Sequence, residues 1–219
     1  MSSNLLTTFP AFFRVSGKTV AVFGDGDEAY AKVRLLRNTD ARIVAYAADP
    51  EADYHAYLTA HGVETVRAGF CLGQLAGVTL VFAATGDERQ DQAIVRAARA
   101  AKIPANAVDQ PDYCDFLTPA LVNRAPVAVA IGTEGAGPVL GQMIRARVDQ
   151  MLSPSLGRLA SLAVDYRDAV ERHIPKGVSR RVFWRRFFTG TVADSVDAGD
   201  PAAATHAADD LLSGSGRVE

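Results

Sequence analysis

Residues 18–49 constrain the fold most strongly, because they carry the signals of a strand, a turn, a helix and a second strand in that order. Residues 19–23 (TVAVF) are a short apolar, β-branched run that predicts a buried strand. A turn with two glycines follows, and residues 41–46 predict the next strand. This order indicates a βαβ unit, whose two strands lie parallel in one sheet.

The turn has the spacing G-x-G-x-x-A, formed by Gly24, Gly26 and Ala29. Gly24 permits a sharp turn, Gly26 lets the backbone approach a pyrophosphate, and Ala29 keeps the helix start close to the strand. The helix N-terminus offers free N–H groups and a positive dipole end to phosphates. The motif therefore predicts a dinucleotide site. A plain βαβ turn that binds nothing is the alternative.

An acid after the second strand bears on the choice of cofactor. Asp49 lies about twenty residues beyond the helix start, where an acidic side chain can bind the ribose hydroxyls. A 2′-phosphate would need Arg or Lys there, so the sequence favours NAD over NADP. A solvated cap before Pro50 is the alternative for Asp49. Asp25, Asp27 and Glu28 also place three carboxylates beside the phosphate site, which is electrostatically unfavourable.

Composition narrows the possible functions. A chain of 219 residues is long enough for one α/β domain with a smaller appendage, and a net charge of −2 gives no support for binding nucleic acid. Cys71 and Cys114 match no zinc or redox spacing, and the four histidines form no ligand cluster, so we expect reduced thiols and no permanent metal site. The sequence shows neither a signal peptide nor a long apolar run. We therefore expect a cytoplasmic protein without membrane association.

Two further strands bring polar residues to the ligand side of the sheet. Residues 78–84 are an apolar run that ends at Thr85, and residues 105–108 predict a strand that ends at Asp109. Ligands bind outside the carboxyl ends of such strands. Thr85 should therefore face the nucleotide, and Asp109 is the leading candidate for a catalytic carboxylate. On spacing alone, an aspartate that starts a turn is the alternative.

The spacing of apolar residues predicts which face each helix buries. The first helix should bury Ala29, Val33 and Leu36. The helix over residues 87–102 should have an alanine-lined inner face, formed by Ala93, Ala97 and Ala101.

Beyond residue 116 the pattern changes from βαβ units to a hairpin. Apolar segments 117–122 and 127–131 flank Asn-Arg-Ala-Pro at 123–126, which predicts two antiparallel strands. The glycine-rich residues 132–137 then lead to Pro138, which opens a helix. This second helix start is able to hold an anion, and a flexible turn is the alternative. The nearby arginines, which would add charge for carboxylates unless they are merely solvated, are Arg124, Arg145 and Arg147.

From residue 154 onwards the chain is predicted to be helical. Residues 178–188 mix aromatic and arginine side chains, which favours a buried aromatic face with a charged outer face over a nucleic-acid site. Residues 197–219 are rich in Ala, Asp, Gly and Ser, so we expect a weak helix followed by a linker or tail.

Short segments spread over nearly the whole chain carry a family resemblance in their order and spacing. They are Phe9-Pro10, residues 24–29 (GDGDEA) with Lys32, residues 83–85 (AAT), residues 106–109 (NAVD), residues 123–126 (NRAP), residues 137–140 (GPVL) and residues 183–188 (FWRRFF). Together they resemble the siroheme synthase N-terminal module.

This resemblance implies an NAD-dependent precorrin-2 dehydrogenase that also inserts ferrous iron into its product, sirohydrochlorin, to give siroheme. The iron would be a substrate and not a resident cofactor. Asp109 matches the family's catalytic aspartate, which serves both reactions. The nucleotide contacts implied by the family fall on Asp27, Glu28, Ala48 and Asp49.

The tetrapyrrole substrate carries many carboxylates, so its site needs fixed donors. We expect these at Arg124, Thr133 and Gly135.

The expected fold class is α/β, a Rossmann-like parallel-sheet domain followed by a small hairpin and helix dimerisation region and a C-terminal helical region. The expected boundaries are 1–115 for the NAD-binding domain, 116–152 for the dimerisation region, 153–196 for the helical domain and 197–219 for the weak helix and tail. A homodimer would form through the hairpin region.

Some features depart from the family's pattern. The middle motif glycine is Asp25 and a common valine is Glu28, so the loop is more acidic and a lower cofactor affinity is expected. Thr133 stands where the bifunctional enzyme has a phosphorylatable serine, which puts that regulation in question. In fused enzymes a uroporphyrinogen-III methyltransferase domain follows a linker similar to residues 197–219. Such a methyltransferase is expected here as a fused or a separate partner.

Two other functions are alternatives to the dehydrogenase. The acidic loop keeps open a catalytically silent module that senses NAD or regulates another protein. A short-chain alcohol dehydrogenase is less favoured, because none of the six tyrosines has a lysine four residues later.

Overall fold

The computed structural model describes residues 5–215, which divide into two compact units. The first unit contains residues 5–118 and 132–136, and the second contains 119–131 and 137–215. The hairpin and the C-terminal helices, which the sequence analysis placed in separate regions, thus belong to one compact unit. The glycine-rich residues 132–136 belong to the first unit.

The first unit is built on a parallel sheet in the order β3-β2-β1-β4-β5. Its strands are β1 (Thr19–Phe23), β2 (Arg42–Tyr46), β3 (Glu64–Val66), β4 (Val78–Ala83) and β5 (Ala105–Ala107). Its helices are α1 (Asp27–Leu36), α2 (Ala52–Ala60) and α3 (Glu88–Ala100), with 3₁₀ turns at Leu72–Leu75 and Pro111–Tyr113. The strand order reverses between β1 and β4, which makes their carboxyl ends the switch point where ligands bind in such sheets. The Rossmann-like class predicted from the sequence is confirmed.

Side chains from both faces of the sheet are buried. Val20 and Val22 of β1 belong to one apolar cluster, while Ala21 and Phe23 belong to another on the opposite face. This alternation follows from the two-residue period of a strand. The predicted inner face of α1 is confirmed, since its buried residues are Ala29, Val33 and Leu36.

The inner face of α3 differs from the prediction. Its buried residues are Asp91, Ile94, Val95 and Ala98. Ala93 and Ala101 are exposed and Ala97 is only partly buried, so the expected alanine-lined face was wrong. Larger apolar side chains remove more surface from water than alanine does, so the stripe with Ile94 and Val95 faces the sheet.

The second unit contains one hairpin and the remaining helices. Strands β6 (Ala120–Arg124) and β7 (Val127–Ile131) pair antiparallel, as predicted. The helices are α4 (Pro138–Met151), α5 (Leu156–His173), α6 (Val178–Thr189), α7 (Thr191–Asp197) and α8 (Pro201–Ser215). Phe183 and Phe187 of α6 are almost fully buried, which confirms the buried aromatic face.

The C-terminal segment was expected to be a weak helix followed by a tail. Helix α8 packs through two small residues, because Ala204 and Ala208 are fully buried. Residues 216–219 lie outside the described part of the chain. Within residues 5–215, none of the helices combines the length and the apolar character needed to cross a membrane.

Candidate nucleotide-binding and catalytic site

Gly24 follows β1 at the switch point, where its backbone lies very close to the loop after β4. Its φ of 145° is rarely adopted by L side chains, and an added Cβ would overlap the Ala84 carbonyl oxygen and lie 2.6 Å from the carbonyl carbon. Two hydrogen bonds hold this approach. The Gly24 N–H donates to the Tyr46 carbonyl at 3.1 Å, and the Ala84 N–H donates to the Phe23 carbonyl at 2.8 Å. Glycine is therefore required here by the packing of the sheet itself.

Gly26 is the N-cap of α1 and leaves the first turn of the helix open. It has no side chain with which to cap the helix, so the first N–H groups remain available to an anion. An added Cβ would lie 3.1 Å from Glu51 Oε1, which is the flexible end of a side chain. The predicted pyrophosphate contact of Gly24 and Gly26 remains a prediction, and Asp27 and Glu28 lie in the same first turn.

Asp25 connects the loop after β1 to the loop after β2. Its Oδ1 accepts a hydrogen bond from the Asp49 N–H at 3.0 Å, and its carbonyl accepts one from the Glu51 N–H at 2.9 Å. This carboxylate therefore binds the backbone of the neighbouring loop. The sequence analysis missed this role, because the partner lies in another loop.

Ala48 and Asp49 are exposed just beyond the end of β2. Their predicted contact with the nucleotide remains a prediction. The ribose role of Asp49 remains a prediction, and it concerns the side chain, since its N–H is bound by Asp25.

Thr85 is held by a buried carboxylate on α3. Its hydroxyl donates to Asp91 Oδ1 at 2.7 Å and its N–H donates to the same oxygen at 3.0 Å. Asp91 is only 2% exposed, and burial raises its pKa even though the bonds from Thr85 act in the opposite direction. The sequence analysis missed Asp91, although an acid on the apolar face of a helix was the available signal. The predicted contact of Thr85 with the nucleotide remains a prediction.

Asp109 is exposed at the tip of the loop that follows β5. Its φ of 57° lies in the left-handed region, which aspartate tolerates better than most residues. The preceding Val108 N–H donates to the Ala83 carbonyl at 2.9 Å, which places this loop beside the end of β4. Within the described residues, no hydrogen bond occupies the Asp109 carboxylate. An exposed and conformationally constrained carboxylate at this edge is suited to accept a proton.

Glu28 experiences the negative charge of this crevice. Burial, together with the charges of Asp109 and Asp91, raises the pKa of Glu28, while Lys32 lowers it. The carboxyl ends of β4 and β5 and the start of α1 therefore form one electrostatically connected region. Lys32 supplies positive charge within it.

The glycine-rich residues 132–136 are attached to the N-terminal segment of the first unit. Glu134 Oε1 accepts bonds of 2.7 and 2.8 Å from the N–H groups of Thr7 and Thr8, and one of 2.8 Å from the Thr8 hydroxyl. These bonds lower the pKa of Glu134. Thr133 is half-buried and Gly135 is exposed, and their predicted contacts with substrate remain predictions.

Arg124 lies on β6 in the second unit, where its side chain contacts α4. Its Nη2 lies 2.9 Å from Asp149 Oδ1 and donates to the Asp149 carbonyl at 3.1 Å. The side chain is 19% exposed. Any contact with substrate would have to form beside this ion pair, so the predicted substrate role of Arg124 remains a prediction. Arg145 donates to the Leu121 carbonyl at 2.9 Å, whereas Arg147 is exposed.

The described residues also show what the site lacks. Between residues 5 and 215, no group of three or more His, Cys, Asp or Glu side chains is placed to hold a metal ion.

The parallel sheet and the uncapped helix start after β1 are typical of nucleotide-binding proteins of the Rossmann-like class. Residues 11–120, about half of the chain, match the family described as "Putative NAD(P)-binding", and the chain belongs to that family. Residues 155–212 match the family described as "Sirohaem synthase dimerisation region". This second match lies beyond residues 116–152, where the dimerisation region was expected.

Relatives agree with the resemblance carried by the motifs. The chain is 34% identical over 213 residues to a siroheme synthase of Methylobacillus flagellatus, covering 97% of this chain and 46% of that protein. It is 37% identical over 205 residues to a siroheme synthase of Ectopseudomonas mendocina, covering 94% of this chain and 44% of that protein. The chain thus spans less than half of the length of these relatives. The predicted resemblance to the siroheme synthase N-terminal module is confirmed.

A solved structure supports the fold. The protein titled "SirC, precorrin-2 dehydrogenase" matches with a TM-score of 0.78 and 16% identity, covering 96% of this chain and 100% of that chain.

Proposed function

We propose that this chain uses NAD to oxidise precorrin-2 to sirohydrochlorin. The observation that carries the proposal is the position of Asp109. An exposed carboxylate in a constrained conformation stands at the same edge of the sheet as the open N-terminus of α1. Relatives named siroheme synthase and a structural neighbour named precorrin-2 dehydrogenase support the choice of substrate.

The reaction removes one hydride and one proton from the tetrapyrrole and forms a new double bond. NAD, when bound at the start of α1, supplies the hydride acceptor. Asp109 accepts the proton, because its carboxylate is exposed and no hydrogen bond from the described residues occupies it. The backbone at Gly24 and Gly26 would hold the pyrophosphate of the bound cofactor.

The acidic surroundings favour NAD over NADP. Asp49, the predicted ribose contact, is exposed just beyond β2, and Asp27 and Glu28 add negative charge at the start of α1. A 2′-phosphate would be repelled by these groups.

We also propose that the chain inserts ferrous iron into sirohydrochlorin. Iron enters as a substrate, and two pyrrole protons have to leave the macrocycle. The same exposed carboxylate of Asp109 is a suitable acceptor for them.

A silent NAD-sensing module is the alternative function. The negative crevice favours it, because the charges of Asp109 and Asp91 act on Glu28 beside the phosphate site. Such a module would bind NAD and leave precorrin-2 unchanged.

We include a homodimer in the proposal. The match of residues 155–212 to a dimerisation region supports it. In the second unit, α4 also exposes large apolar side chains, which is typical of a surface that another chain covers. These are Val139, Leu140, Met143 and Met151. A cytoplasmic location and a fused or separate methyltransferase remain predictions from the sequence.

An anaerobic assay tests the proposal. The purified chain is mixed with enzymatically made precorrin-2 and either NAD or NADP, and sirohydrochlorin is followed by absorbance. We expect turnover that is faster with NAD, and a second spectral change when ferrous or cobaltous ion is added. Oxidation without the second spectral change would contradict the proposed insertion of iron. NAD binding without oxidation would favour the silent module.

A further inference from the structure

We infer that Asn106 and Cys114 are positioning residues that hold the Asp109 carboxylate in its reactive place. The inference rests on the proposed function, because it assigns to these two side chains a role in the reaction that Asp109 performs. It concerns the loop of residues 105–115, which is called the Asp109 loop below.

The two ends of the Asp109 loop are joined directly. The Asp115 N–H donates to the Ala105 carbonyl at 2.8 Å, and the Ala105 N–H donates to Asp115 Oδ2 at 3.0 Å. Arg99 Nε on α3 lies 2.8 Å from the other oxygen of the same carboxylate. These bonds hold the base of the loop. They do not reach its tip, which carries Asp109.

Cys114 fixes the tip from inside the loop. Its Sγ lies 3.1 Å from the Ala107 carbonyl oxygen and 3.3 Å from the Gln110 carbonyl oxygen. These carbonyls flank Asp109 on its two sides along the chain. The single thiol hydrogen can be donated to either carbonyl, so the sulfur holds both in a narrow range of positions.

Asn106 holds Cys114 in turn. It is 5% exposed, and its side-chain amide donates to Cys114 Sγ at 3.2 Å and to the Phe116 carbonyl at 2.9 Å. Both hydrogens of the amide group are therefore used, one inside the loop and one at the residue that follows it. Burial raises the pKa of the Cys114 thiol, so the thiol keeps the hydrogen that it donates.

The conformation of Asp109 explains why this support is needed. A φ of 57° is sparsely populated by residues other than glycine, and such conformations persist only where neighbouring groups enforce them. The Gln110 N–H also donates to the Ala107 carbonyl at 3.3 Å, and the Val108 N–H donates to the Ala83 carbonyl at 2.9 Å. Loss of the thiol therefore weakens the support of the turn without abolishing it, and the Asp109 carboxylate shifts. Catalysis is sensitive to displacements of about 1 Å. The backbone N–H groups at the start of α1 belong to a separate segment, and none of the hydrogen bonds described for this loop reaches them.

The test compares substitutions at the two cysteines. Cys114→Ala removes the internal donor, Cys114→Ser replaces it with a hydroxyl, and Cys71→Ala makes the same chemical change at an exposed thiol. For each variant, kcat, the KM for precorrin-2, the KM for NAD and the thermal unfolding temperature are measured. If Cys114→Ala is too unstable to purify, Cys114→Val fills the space without a donor and takes its place.

We expect Cys114→Ala to lower kcat on the order of ten- to a hundred-fold while the KM for NAD stays unchanged. Cys114→Ser should recover most of this loss, and Cys71→Ala should behave as wild type. Wild-type kcat in folded Cys114→Ala, or a loss that serine does not relieve, would overturn the inference alone. Failure of the wild-type chain to oxidise precorrin-2 would overturn the proposed function and this inference with it.

Discussion

Replacing Gly24 by alanine tests whether the first motif glycine is required by the sheet itself. The new Cβ would lie 2.6 Å from the Ala84 carbonyl carbon and 3.1 Å from the Ala29 Cβ, and φ at this position is 145°. Both close neighbours are parts of the buried sheet and of α1, so they cannot rotate away as a side-chain end would.

These contacts determine how much stability Gly24→Ala loses. The backbone would have to separate by about 1 Å, which a close-packed interior resists. This shift would weaken the bonds from the Gly24 N–H to the Tyr46 carbonyl and from the Ala84 N–H to the Phe23 carbonyl. Each such bond contributes about 1 kcal/mol, and the strained φ adds roughly 1–3 kcal/mol. We therefore expect Gly24→Ala to lower the free energy of unfolding by about 3–5 kcal/mol.

Urea unfolding followed by circular dichroism measures this loss. Gly62→Ala is the matched control, because Gly62 has a φ of 59° but no heavy atom within 4 Å of an added Cβ. It has the cost of a left-handed φ without a clash, which is roughly 1–2 kcal/mol. If Gly24→Ala were no more destabilised than Gly62→Ala, the close approach of β1 to the loop after β4 would not be the reason for the glycine.

The remaining predictions concern a buried acid and the exposed face of α4. Burial raises the pKa of Asp91 above its ordinary 3.8. Between pH 3.8 and this raised pKa the folded chain binds more protons than the unfolded chain, so the free energy of unfolding falls as the pH rises. Asp91→Asn cannot titrate, so it should lose less stability than wild type as the pH rises above about 4 in urea titrations. An equal loss in the two proteins would contradict a raised pKa for Asp91. Leu140→Asp with Met143→Asp should raise the dimer dissociation constant by at least about ten-fold in sedimentation experiments, because both side chains are large, apolar and exposed in the single chain. Gln142→Asp is the control, and an unchanged dimer in the double variant would refute the role of α4.

Local sequence patterns predicted most of the first unit. Strand β1, the motif turn and the inner face of α1 depend on residues close together in the chain. Their spacing determines which side chains share a face, so these features could be predicted from a short stretch of sequence. The inner face of α3 was missed because alanines recur on two sides of that helix. Only the sheet decides that Ile94 and Val95 face inwards.

Contacts between distant segments could not be predicted from the sequence. Asp25 was interpreted only as an unfavourable charge, whereas its carboxylate binds the Asp49 N–H in the next loop. Glu134 binds the N-terminal Thr7 and Thr8 across more than a hundred residues, and no local signal marks that pair. The position of Asp109 after β5 was predictable, but its left-handed conformation was not.

Asp109 is proposed as the proton acceptor in the oxidation of precorrin-2. The most direct measurement is kcat for Asp109→Asn beside Asp112→Asn, which changes another exposed aspartate in the same loop. Loss of a general base predicts a fall in kcat of roughly a hundred- to ten-thousand-fold for Asp109→Asn, with NAD affinity retained and Asp112→Asn close to wild type. Full turnover by Asp109→Asn, in a variant that folds and binds NAD normally, would contradict the account.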